Sequence, residues 1–283
     1  IVGENPALSD PDQAHTIHCL EKVPFLVVQD IFLSETAEHA DVVLPAGSFL
    51  EREGTYTNTD RRVQMINKVI EPIGNSRPDW EIIMDIMKRI GMDVDYEDPS
   101  HIMDEINEAT DIYGGIAHDR IREVGLQWPC PDKEHPGPPI LHVGQFIRGK
   151  GLLTVNDFEF IGDQRSAEFP FLLTTGRVTH QYHTGTMTRK VWNLALEYPE
   201  GFVEIHTKDA QELGIKDKQP VRITSPRGSI VAPAMVTDRI NEKTLFVPFH
   251  FAESPANRLT SQHVDPLIGI PAFKVSAARI EVE

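Results

Sequence analysis

The densest run of chemically useful side chains is Thr174-Thr175-Gly176-Arg177-Val178-Thr179-His180-Gln181-Tyr182-His183-Thr184-Gly185-Thr186-Met187-Thr188-Arg189-Lys190. Its hydroxyls, two glycines that let a ligand approach the backbone, two histidines, two arginines and a lysine suit a pyrophosphate and a heteroaromatic edge. The usual signatures are missing: no G-x-x-x-x-G-K-[ST] or G-x-G-x-x-G nucleotide motif occurs, and no G-x-S-x-G elbow of a serine hydrolase. His180 and His183 have a ligand-like spacing, but no nearby carboxylate or cysteine completes a metal set. Cys19 and Cys130 lie in dissimilar contexts and are too few for a four-thiolate zinc site, an iron–sulfur cluster or a disulfide scaffold. Prolines on both sides of Cys130 argue against a ligand or nucleophile role.

Short β-rich runs surround this segment: Phe169 to Thr174, Phe202 to His206, Val221 to Ser225, Ser229 to Val236, Thr244 to Val247 and Ser276 to Val282. Pro226-Arg227-Gly228 predicts a tight turn between two of them. One short helix is expected from Thr207 as its cap, with Ala210 and Leu213 on its apolar face and Gly214 at its end. Six short strands and one helix predict a small closed barrel over residues 165–283. Before it, five prolines between Trp128 and Pro139 predict an extended linker over 126–164, because proline removes backbone donors and fixes φ.

Residues 1–125 read differently. Phe25 to Gln29 and Asp41 to Pro45 are apolar runs without polar alternation, separated by a short helical stretch capped by Ser34. Strands of this kind joined by a helical crossover predict an α/β domain with a parallel sheet, which binds ligands at the carboxyl ends of its strands. Those ends carry Asn5, Gln29 with Asp30, and Ala46 with Gly47. A helix is expected from Asp79, its N-cap, to Met92, with Ile82, Ile83, Ile86, Met87 and Ile90 on one face. The polar stretch from Glu51 to Gln64 reads as a solvated loop, with a functional loop as the alternative.

The chain has 283 residues, with 27 Lys and Arg against 43 Asp and Glu. The whole deficit of 16 lies in residues 1–159, which carry 13 basic and 29 acidic side chains, so a nucleic-acid backbone is a poor partner. No stretch approaches the roughly 18 apolar residues of a membrane span. The opening Ile1-Val2-Gly3-Glu4-Asn5-Pro6 resembles the tail of a strand entering a turn, and the expectation is that this is the C-terminal part of something larger.

Gly3-Glu4-Asn5-Pro6, Val28-Gln29-Asp30 with Ala40 to Pro45, Glu53-Gly54-Thr55 with Asn58 and Arg62-Val63-Gln64, Trp128-Pro129-Cys130, Thr175-Gly176-Arg177, His183 to Arg189, and Asn257 then Lys274 together resemble the molybdopterin oxidoreductases of the dimethyl sulfoxide reductase family. The match runs in order along nearly the whole chain and is most similar to the C-terminal part of formate dehydrogenase catalytic subunits. The resemblance implies a double-psi type of six-stranded barrel and a cofactor of two molybdopterin guanine dinucleotides holding molybdenum or tungsten. It implies that Asn5, Ser9, Gln29, Asp30 and Asp79 face one guanine nucleotide, with a helix cap as the competing role for Asp79. It implies further that Thr175, Gly176, Arg177, His183, Thr184, Gly185, Thr186, Asn257 and Lys274 hold the other dinucleotide. Lys274 lies between Phe273 and Val275, where an ammonium needs an anionic partner.

The family's cluster-binding cysteines, metal-binding Cys or selenocysteine and substrate arginine find no counterpart here, so no catalytic or metal residue is assigned. The implied reaction is formate to carbon dioxide with two-electron transfer. Implied partners are a separate N-terminal half carrying the iron–sulfur cluster and iron–sulfur or flavin electron-transfer subunits. The expected compartment is the cytoplasm, or the periplasm if a partner carries an export signal. The alternatives are another family oxidoreductase, such as a nitrate or polysulfide reductase, and a non-catalytic pterin-binding module.

Overall fold

The computed structural model describes residues 1–155, 157 and 159–283. In chain order its elements are α1 (Pro6–Ser9), α2 (Gln13–Lys22), β1 (Val27–Asp30), β2 (Val42–Pro45), β3 (Gly54–Thr57), β4 (Arg62–Ile66), α3 (Asp79–Arg89), α4 (Pro99–Ala109), α5 (His118–Ile121) and β5 (Leu126–Gln127). There follow β6 (Phe171–Gly176), α6 (Trp192–Glu197), β7 (Val203–His206), α7 (Thr207–Leu213), β8 (Pro220–Ser225), β9 (Gly228–Thr237), β10 (Thr244–Pro248) and β11 (Ser276–Val282). By packing, the chain divides into two units, Ile1–Val43 with Phe158–Glu283, and Leu44–Asp157. In this grouping the first 43 residues pack with the barrel.

All six expected barrel strands form, closing in the order β10-β6-β11-β8-β9-β7. Alternation is the cause: Phe171, Leu173 and Thr175 of β6 point inward, as do Val221, Ile223 and Ser225 of β8. Their inward partners include Val203, Ile205, Leu245, Val247, Ala278 and Ile280, which form one continuous core. Two strand pairs are parallel, β6 with β10 and β7 with β9, and the remaining pairings are antiparallel. Helix α7 ends at Gly214 in the left-handed region, as its sequence suggests. Its N-cap is His206, whose Nδ1 accepts from the Lys208 amide at 3.2 Å; the Thr207 hydroxyl instead donates to Asp238.

In the N-terminal part, β1 and β2 form a two-stranded sheet, and Val2 bridges Gln29 in the parallel sense. The apolar core under it is Ala7, Leu20, Leu26, Val28 and Ala37. In the second unit, the stretch read as a loop is a hairpin: Gly54 to Thr57 pairs with Ile66 to Val63, and β5 adds a third antiparallel strand. Its apolar positions are sparse because one face is solvated. Helix α3 forms with N-cap Pro78, so Asp79 is its first residue and not its cap. The start of the proline-rich region is packed, not extended: Cys130 is fully buried with Val63, Met103, Ile116 and Ile121. Among the described residues, no helix is long and apolar enough to cross a membrane.

Candidate functional site

Strand β6 ends where two cations meet. The register of β10 on β6 sets Pro248 against Gly176, and the Phe249 amide then donates to the Gly176 carbonyl at 3.2 Å. A Cβ at Gly176 would lie 2.5 Å from the Phe246 ring, so glycine is what lets these strands close. Arg177 follows, exposed, with its guanidinium 5.4 Å from the centre of the Tyr182 ring and 5.8 Å from that of Phe249. Lys274 donates from Nζ to the Thr175 carbonyl at 2.5 Å, and buried Thr175 donates from Oγ1 to the Phe273 carbonyl at 2.9 Å. Partial burial, then repulsion from Arg177, pushes the Lys274 ammonium below its ordinary range. Among the described residues neither cation has a carboxylate partner. The ammonium expected to need an anion has only a neutral carbonyl.

Beyond Arg177 the loop is organised by its own polar groups. Gln181 is buried, and its Oε1 accepts from Thr188 Oγ1 at 2.7 Å, while that hydroxyl accepts from the Tyr182 amide at 3.1 Å. His183 adopts φ +50° and Gly185 φ +72°. At Gly185 a Cβ would also lie 2.9 Å from the His250 carbonyl, so the glycine is required twice over. Thr184 and Thr186 share a hydrogen bond of 2.7 Å between their hydroxyls. Among the described residues, His180 Nδ1 is buried without a hydrogen-bond partner. Two unpaired cations, clustered hydroxyls and an orphaned ring nitrogen fit an anionic, heteroaromatic cofactor.

The structure joins residues that the family resemblance assigns to different dinucleotides. Asn5 is buried; its Nδ2 donates to Glu35 at 2.6 Å and to Thr186 Oγ1 at 3.3 Å, and its Oδ1 accepts from Thr36 Oγ1 at 2.7 Å. Ser9 Oγ donates to Glu4 at 3.4 Å or Asp10 at 3.2 Å. Asn257, also buried, donates from Nδ2 to the carbonyls of Leu8 at 2.9 Å and Ser9 at 2.8 Å, fastening the end of α1 to the barrel unit. Both of its donors are therefore committed to the protein. Asn257→Leu should lower stability by about 2 kcal/mol, because it strands these carbonyls; an unchanged denaturation midpoint would contradict this fastening role.

Gln29 is buried at the end of β1, and its carbonyl accepts from the Gly3 amide at 2.9 Å. Asp30 caps the turn after β1, with Oδ1 accepting from the amides of Ile31 at 2.6 Å and Phe32 at 3.3 Å. Asp79 lies in the other unit and is ion-paired with Arg52, a residue of the polar stretch that sequence reasoning weighed as a solvated or functional loop. His250 was missed. It is fully buried, takes the Val178 amide on Nε2 at 3.0 Å and binds the His183 carbonyl through Nδ1. A histidine straight after a strand gives no sequence sign of partners 67 and 72 positions away.

Comparison with known proteins bears on this arrangement. The family described as Molybdopterin oxidoreductase matches residues 1–89, and the Molydopterin dinucleotide binding domain matches residues 171–277. The chain is 43% identical over 285 residues to "F420-dependent formate dehydrogenase 1 subunit alpha" of Methanococcus maripaludis, covering 99% of this chain and 42% of that protein. It is 39% identical to "Assimilatory nitrate reductase catalytic subunit" of Bacillus subtilis, covering 99% of this chain and 41% of that one. It therefore spans about two-fifths of the length of these relatives. In fold it is similar to "Acetylene Hydratase from Pelobacter acetylenicus", with a TM-score of 0.74 at 18% identity, over 99% of this chain and 43% of that one. The two family matches fall on the N-terminal part and on the barrel with its cation-lined loop, so the chain carries a segment of the Molybdopterin oxidoreductase family followed by a Molydopterin dinucleotide binding domain.

Proposed function

We propose that this chain is the C-terminal, cofactor-holding portion of a molybdenum- or tungsten-dependent formate dehydrogenase, interconverting formate and carbon dioxide by two-electron transfer. The observation that carries the reading is the paired cations Arg177 and Lys274 at the end of β6, without an acidic partner, in a domain of the dinucleotide-binding family. Identities of 41% to 44% along 99% of the chain to formate dehydrogenase alpha subunits support formate as substrate. Bound there, a bis-molybdopterin guanine dinucleotide supplies the two-electron chemistry. In this reading Arg177 and Lys274 neutralise phosphate, the Thr184 and Thr186 hydroxyls offer hydrogen bonds, Gly176 and Gly185 let the loop close beside them, and His183 borders the pterin. Asp30 accepts from guanine N–H groups, with Asn5, Ser9 and Gln29 shaping the site, and Asp79, in its own unit, is likewise an acceptor for guanine. Asn257 acts by holding α1, and Thr175 by carrying Lys274.

We place β1 and β2 in an α/β parallel-sheet domain of residues 1–125, followed by the linker 126–164 and a double-psi barrel at 165–283. Activity in this account needs a separate N-terminal half bearing the iron–sulfur cluster, together with iron–sulfur or flavin electron-transfer subunits, in the cytoplasm. A nitrate reductase is the second reading, favoured by the Bacillus relative. The complex purified around this chain should reduce an artificial dye with formate and should not oxidise reduced dye with nitrate; the reverse pattern would replace the first reading with the second. Asp79→Asn should reduce guanine retention while changing folding stability by less than about 1 kcal/mol, because its ion pair with Arg52 is partly exposed. Full retention would return Asp79 to a purely structural role.

A further inference from the structure

We propose that His250, as the neutral Nδ1–H tautomer, is a positioning residue that locks the two limbs of the Gly176-to-Arg189 loop together. The geometry permits one assignment. The His183 carbonyl can only accept, so Nδ1 carries the proton; the Val178 N–H can only donate, so Nε2 is the bare nitrogen. One bond fixes the residue next to Arg177. The other fixes His183, whose left-handed backbone is unfavourable for a residue with a side chain and needs an external hold. Phe249 stacks on the imidazole with centroids 4.8 Å apart, and Phe251 meets it edge-on at 6.0 Å, so the ring cannot turn away.

This lock is sensitive to protons. Adding one to Nε2 sets N–H against N–H at Val178 and breaks that limb. The charged and titratable groups facing the ring are Arg177, His183 and Arg189, the last ion-paired with Glu253, and the two arginines disfavour a further cation. Burial, and then these charges, hold the His250 pKa below its ordinary value, although its bond to the His183 carbonyl opposes them. With the folded value depressed, an opened loop binds the proton more readily than the closed one. The closed loop is therefore favoured at neutral pH, and its advantage falls as pH drops below about 6.5.

The inference rests on the proposed cofactor role of the loop only for its functional meaning, and its test is independent of that role. Hydrogen–deuterium exchange would be measured on the full chain with the polypeptides that accompany it, washed free of cofactor and corrected for intrinsic exchange chemistry. Between pH 7.5 and 5.5, peptides over 177–190 should lose about tenfold of their protection, the worth of one buried hydrogen bond, while β8 and β9 keep theirs. His250→Phe should show that loss already at pH 7.5. His250→Gln, which can still accept from Val178 but does not titrate, should abolish the pH dependence. Wild-type loop protection that is flat with pH, or pH dependence that survives in His250→Gln, would overturn the proposal. Dinucleotide content, assayed separately on the holoenzyme, would report on the cofactor reading alone.

Discussion

Replacing Arg177 with Ala and Lys274 with Met together should weaken retention of a pterin dinucleotide by at least about a hundredfold. A charge-assisted hydrogen bond to phosphate contributes about 1.5–3 kcal/mol, and each 1.4 kcal/mol is a factor of ten. The two effects will not simply add, since the groups are neighbours. Burial pushes Lys274 below its ordinary range, and without cofactor repulsion from Arg177 adds to it. Removing both charges should therefore leave the folding stability of the cofactor-free chain within about 1 kcal/mol of the parent. Weaker retention without weaker folding is the signature of binding residues. Parallel losses of both would make the pair structural. Retention is read as the guanine nucleotide remaining after extended gel filtration.

Gly115→Ala should be the most damaging single methyl in the chain. Its Cβ would lie 1.8 Å from the Asp132 carbonyl oxygen and 2.9 Å from Cys130 Sγ. The Gly115 amide already donates to the Cys130 carbonyl at 2.6 Å, and Arg120 spans the same turn by donating to the Gly115 and His135 carbonyls. A backbone obstacle cannot swing aside as a flexible side chain can, so the turn must come apart. A cost of about 3–5 kcal/mol is expected, above the usual ~1–3 kcal/mol of overpacking because the obstacle is backbone, and it should unfold the region around Cys130 in the second unit. Exchange protection of residues 111–137 against that of β8 and β9 measures this directly. Equal protection in variant and parent would mean that the turn has slack its contacts do not reveal.

The two parts of the chain were unequally legible in the sequence. Strands of the barrel alternate, as in Phe171-Leu172-Leu173-Thr174-Thr175, because only one of their faces is dry, so each could be read locally. The hairpin from Gly54 to Ile66 could not: Tyr56 and Gln64 face water, and its pairing partner Leu126 lies some sixty residues on. Helix α4 did leave a signal, an Asp98 cap followed by Pro99, which the polar composition around it obscured. At the candidate site, the composition of the 174–190 loop was legible because its residue types are unusual together. Asn257 donating to carbonyls of α1, and His250 bridging two backbone groups, were not legible, since a side chain's bond to a distant backbone atom imposes no residue type on its partner.

The central claim is that this chain cradles a metal-bearing pterin guanine dinucleotide. Acid hydrolysis of the complex purified around it, with guanosine monophosphate and metal counted per chain, tests that claim most directly. The account predicts two guanine nucleotides with one molybdenum or tungsten. A preparation that is intact by exchange protection and holds neither guanine nucleotide nor metal would contradict it.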